Sequence, residues 1–114
     1  MKQKLPNLYE VDGGEEVTVQ IIATKIGDTA TFTASPVTVD EISQSPRTFR
    51  FTADAGNGPT IFGMVTCDFT GAEDGAKFDV KVSSPGSGSF DGPTIEKDDP
   101  DSDEPVSIDF EFPI

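Results

Sequence analysis

Apolar and polar residues alternate along much of this chain with a period of two, which marks strands that bury one face. Over residues 16–23, Val17, Val19 and Ile21 fall on one side and Thr18, Gln20 and Ile22 on the other. Gly27-Asp28 then signals a turn, and residues 29–35 set Ala30, Phe32 and Ala34 against Thr31 and Thr33, so the two runs predict a hairpin. Val37 and Val39 predict a short edge strand between Pro36 and a loop at 43–46, because proline at a strand border suits an edge. Residues 47–53 alternate with Phe49 and Phe51 inward and stop at a glycine-rich loop.

Residues 60–69 carry Ile61, Phe62, Met64, Val65, Cys67 and Phe69, apolar on both sides. That pattern predicts a central strand covered on two faces, or one bulged at Gly63, and the most buried strand of the molecule. After Asp74-Gly75, residues 77–83 alternate Phe78, Val80 and Val82 with Lys77, Asp79 and Lys81. Residues 83–89 read as a flexible Gly/Ser loop, 90–95 as a short segment, and Val106, Ile108, Phe110 and Phe112 as one face of a closing strand. The tetrapeptide Gly58-Pro59-Thr60-Ile61 recurs as Gly92-Pro93-Thr94-Ile95, which reads as one turn solution used twice.

About seven short strands with turn signals between them and no helical period predict an all-β fold, an antiparallel β-sandwich. An immunoglobulin-like or fibronectin-like topology is the preferred version, and a small closed β-barrel is the alternative. The immunoglobulin version is an architectural analogy, since the chain has no Trp and no cysteine pair. At 114 residues the whole of 1–114 is expected to be a single domain, with 1–13 a flexible N-terminal segment and 96–105 an acidic loop. Nine Phe residues in a composition only 34% hydrophobic imply a thin, Phe-rich core.

Charge narrows the partners. With 21 acids against 8 bases the formal net charge is −13, which argues against direct binding to nucleic acid or to an anionic membrane. No segment approaches a membrane span and the basic start Met1-Lys2-Gln3-Lys4 has no apolar run behind it, so no signal peptide is read; a cytoplasmic setting, or release without a signal peptide, is expected. Cys67, the one cysteine, rules out an intrachain disulfide and reads as a small buried hydrophobe.

For chemistry, the absence of histidine removes the Ser-His-Asp and Cys-His templates and every His-containing metal site, and no enzymatic activity is expected. The best constellation is Asp99, Asp101 and Asp103, whose spacing of two resembles the opening ligands of a calcium loop, with Asp98 and Glu104 beside them as interaction residues. The match to an EF-hand then breaks, because the sixth position is Glu104 instead of Gly and the twelfth is Phe110 instead of Glu. A looser calcium site drawing on Asp91 or Asp109 stays open. The sequence therefore predicts a non-enzymatic interaction or structural module that presents an acidic surface to a protein partner or an assembly, with homo-oligomerisation among the options. A DNA-mimic inhibitor of a nucleic-acid-binding protein and a calcium-dependent binding domain are the alternatives.

Overall fold

The computed structural model describes residues 1–54, 56, 58–97 and 104–114. Among these, ten strands form: β1 (Lys2–Leu5), β2 (Leu8–Glu10), β3 (Glu15–Thr24), β4 (Ala30–Ser35), β5 (Asp40–Gln44), β6 (Arg47–Ala53), β7 (Thr60–Cys67), β8 (Lys77–Ser84), β9 (Gly88–Glu96) and β10 (Val106–Pro113). They make two five-stranded sheets, ordered β1-β2-β10-β7-β4 and β5-β6-β3-β8-β9. The sheets do not close into a barrel, so that alternative is overturned.

The two layers meet because every long strand keeps its alternation. Val17, Val19 and Ile21 of β3, Phe49 and Phe51 of β6, and Phe78, Val80 and Val82 of β8 are buried from one side, and Phe32, Ile61, Val65, Phe110 and Phe112 from the other. Aromatic rings carry the contact between layers. Phe32 lies 6.1 Å from Phe49 and 6.0 Å from Phe51, Phe51 packs edge-on to Phe112 at 5.1 Å, and Tyr9 packs edge-on to Phe90 at 6.4 Å. Each such pair adds directional preference to the burial that drives folding.

Several expectations need correction. Strands number ten instead of seven, and one pairing, β2 with β10, is parallel. Residues 1–13, expected to be a flexible N-terminal segment, hold β1 and β2, with Tyr9 and Val11 in the core. The edge strand expected at Val37 and Val39 is displaced to Asp40–Gln44, and the loop expected at 43–46 shrinks to a turn between β5 and β6. Residues 83–89 span the end of β8 and a short hairpin turn, in which the Ser87 N–H donates to the Ser84 carbonyl at 3.1 Å.

No bulge occurs at Gly63, whose neighbours keep an unbroken register with both β4 and β10. Glycine is there because a methyl group would lie 2.9 Å from the Phe32 ring and 3.1 Å from the Phe112 ring. The two Gly-Pro-Thr-Ile copies also differ in use. Gly58, at φ 97°, turns the chain into β7, whereas Gly92 and Pro93 sit inside β9 where its register with β8 shifts, so they form a bulge. What the copies share is a buried isoleucine, Ile61 and Ile95.

Candidate interaction surface

Strand β7 lies inside its sheet, between β10 and the edge strand β4, and its alternation sends Ile61, Val65 and Cys67 inward. Phe62 and Met64 therefore point outward, where they are 58% and 39% exposed. The expectation of a strand covered on both faces is overturned: one face is packed and the other is open. Cross-strand partners share a face, so the register maps the outer surface of this sheet. One row runs Leu5, Leu8, Glu111, Phe62, Ser35 across all five strands. The next sets Asp109 beside Met64 and Thr33, and the next Ser107 beside Thr66 and Thr31.

Leu5, 57% exposed, belongs to the same face, which thus holds three of the four large hydrophobic side chains exposed among the described residues. The carboxylates of Asp109 and Glu111 stand directly across from Met64 and Phe62, and hydroxyls flank them, with Thr66 and Ser107 3.1 Å apart. Backbone anchoring holds the β10 side: Asn7 Nδ2 donates to the Asp109 carbonyl at 3.2 Å and the Glu111 N–H donates to the Asn7 carbonyl at 3.0 Å. The outer face of the second sheet differs in kind. Lys77 pairs with Asp79 at 3.6 Å, Arg50 with Glu16 at 3.9 Å, and Thr94 Oγ1 donates to Asp79 at 2.6 Å.

Carboxylates also gather at one end of the molecule. The β3–β4 and β7–β8 loops touch there, with the Glu73 N–H donating to the Lys25 carbonyl at 3.1 Å and Thr29 Oγ1 to the Asp68 carbonyl at 2.6 Å. Asp28, Asp68, Glu73 and Asp74 lie in these loops. Hydrogen bonds from Thr70, backbone and hydroxyl, hold the Asp68 carboxyl below the usual carboxylate range. Strand β9 ends and β10 begins at this same end, since Glu96 pairs with Lys77 and Val106 with Cys67.

The calcium constellation of Asp99, Asp101 and Asp103, with Asp98, falls outside the described residues; Glu104 is described and exposed. Asp91 and Asp109, named as supplementary ligands, face opposite ways: Asp91 pairs with Lys81 on the outside of the second sheet and Asp109 with Met64 on the outside of the first. Among the described residues no group of three or more His, Cys, Asp or Glu is placed to hold a metal ion.

The thiol of Cys67 and the phenol of Tyr9 are both enclosed by the fold. Cys67 is fully buried, and burial pushes its thiol up to about 12. Tyr9 is fully buried as well; desolvation, against the lowering effect of the Gln3 hydrogen bond, pushes its hydroxyl up to about 12 while it donates to the Pro6 carbonyl at 2.7 Å. Sequence reasoning named neither Phe62 nor Met64 as functional. The usable signal was strict period-two alternation from Ile61, which sends both outward. Compared with known protein families, curated sequences and solved structures, the chain matches none.

Proposed function

We propose that this chain is a non-enzymatic interaction module that binds a protein partner through the outer face of the first sheet. The observation that carries the reading is the pair Phe62 and Met64, solvent-exposed on an interior strand of the sheet and bordered by Asp109 and Glu111. Large apolar side chains left exposed on a sheet face contribute less to folding than buried ones, and aromatic and Met side chains are favoured at the centre of protein interfaces. The carboxylates define the partner's complement as an apolar patch rimmed by Lys or Arg, in keeping with the net charge of −13.

The reading takes the architecture as immunoglobulin-like. Strands β5-β6-β3 against β4-β7-β10 follow the order D-E-B against C-F-G of that fold. The hairpin β8–β9 then fills the position beside β3 that the first strand normally takes, and β2 runs parallel to the last strand. Such a frame holds a sheet face rigid for recognition.

Selection of displayed peptides against the wild-type protein alone, followed by affinity measurements on wild type and on the double variant Phe62→Ser/Met64→Ser, tests the proposal. Enriched ligands should combine apolar with Lys or Arg residues, bind less tightly as salt rises, and lose about tenfold or more in affinity for the double variant. Ligands that bind both proteins equally would overturn it.

A further inference from the structure

Four strands end the two sheets, and three carry features that block pairing with another strand. Strand β1 bears Lys2 and Lys4 and shifts register against β2 between Gln3 and Leu5. Strand β5 bears Asp40 and Glu41 and shifts register between Glu41 and Ser43. Strand β9 is bulged at Gly92 and Pro93, and its Asp91 carbonyl already accepts a hydrogen bond from Gln3 Nε2 at 2.7 Å. Charges, bulges and proline are the devices that keep sheet edges from adding strands.

Strand β4 has none of them. Its six residues, Ala30 to Ser35, carry no charge and no proline, and they run in unbroken register with β7. Beyond that ladder, no hydrogen bond among the described residues closes the free side of β4. A straight, neutral edge leaves backbone donors and acceptors in position to bind a further strand.

We infer that β4 pairs antiparallel with β4 of a second copy of this chain, joining the two first sheets into one ten-stranded sheet. The second copy is favoured because β4 is the one edge where two chains of charge −13 meet without like charges opposite each other. Two-fold pairing also matches faces. Residues opposite one another must point the same way, and with Thr33 on the axis Thr31 falls opposite Ser35, both outward, while Phe32 falls opposite Ala34, both inward. The outer surfaces of the two copies, each with Phe62 and Met64, then become continuous. A strand pair this short buries less than the roughly 1,000 Å² of a stable interface, so association is weak and appears only in concentrated protein.

Sedimentation velocity over a concentration series at moderate salt, where long-range repulsion is screened, tests the inference. Wild-type protein should shift from monomer to dimer as concentration rises. Thr33→Lys, at an exposed position, should keep its circular dichroism and melting temperature while weakening dimerisation by more than about tenfold, because two like charges face across the axis. Phe62→Ser/Met64→Ser should still dimerise. A wild type monomeric at every concentration, a dimer untouched by Thr33→Lys, or a dimer abolished only by the double variant would each overturn edge pairing, the last by showing that copies associate through the Phe62 and Met64 face instead.

Discussion

Glu15 shows how a single carboxylate is built into this fold. Its Oε2 accepts from the Met1 ammonium at 2.9 Å and from Ser84 Oγ at 2.7 Å, and its Oε1 accepts from the Asp12 N–H at 3.0 Å. Burial pushes its carboxyl upward, but these hydrogen bonds outweigh burial and hold it below the ordinary glutamate range. A carboxyl held low in the folded state stabilises at pH above its unfolded value, and that contribution disappears as pH falls through the folded one. Glu15→Gln should therefore cost about 1–3 kcal/mol at neutral pH. The gap between variant and wild type should close in acid. Urea unfolding of both proteins across pH 2 to 7, roughly the span in which a carboxylate titrates, checks this; a gap independent of pH would contradict it. Gly63 and Phe62, adjacent in β7, show the same dependence on neighbours: Gly63 is small because two rings need its space, and Phe62 is large where packing asks for nothing.

At the scale of elements, the unpaired edge has its own signature. In dilute protein, alternate amides of β4 should exchange hydrogen at rates near those of loops while amides of β7, bonded on both sides, stay protected. Concentrating the protein should protect β4 selectively, and exchange spectra at two concentrations check it. Which elements were legible follows from burial. Strands β3, β6, β8 and β10 each place three or more apolar residues at alternate positions, and their existence and facing could be read directly. Strands β1 and β5 could not: Lys-Gln-Lys-Leu and Asp-Glu-Ile-Ser-Gln bury no side chain, and an edge strand held by backbone hydrogen bonds leaves no alternation. The β9 bulge hid because Gly-Pro reads locally as a turn. For the interaction surface, the residues Phe62 and Met64 were visible as apolar but not as uncovered, since a pattern of hydrophobicity cannot say whether a second layer lies above it.

For the whole molecule the deciding quantity is charge. Eight basic side chains stand among 21 acids, and the ion pairs of the two outer faces and edges, Lys4 with Glu10, Arg50 with Glu16, and Lys77 with Asp79, lie at 3.6–3.9 Å between partly exposed groups. Pairs of that kind contribute about 0–1 kcal/mol each and weaken in salt. Arg47 with Glu41, at 2.7 Å, is closer than these three, and Arg47 also donates from Nε to the Asp28 carbonyl. Against these few attractions stands the mutual repulsion of a net charge of −13, which is present in the compact state and relaxed when the chain unfolds. Salt screens both, but the long-range repulsion between many carboxylates outnumbers the short-range attractions, so added salt should stabilise the monomer. We expect the melting temperature of Thr33→Lys, chosen so that dimerisation does not contribute, to rise by roughly 4 °C or more between about 10 mM and 0.5 M sodium chloride. A fall would mean that local ion pairs dominate the electrostatics of folding. The same repulsion sets the salt dependence of the two associations in opposite directions: screening helps two copies of this chain approach through β4, and it weakens a basic partner bound across Asp109 and Glu111. Measuring both along one salt series separates the edge from the face.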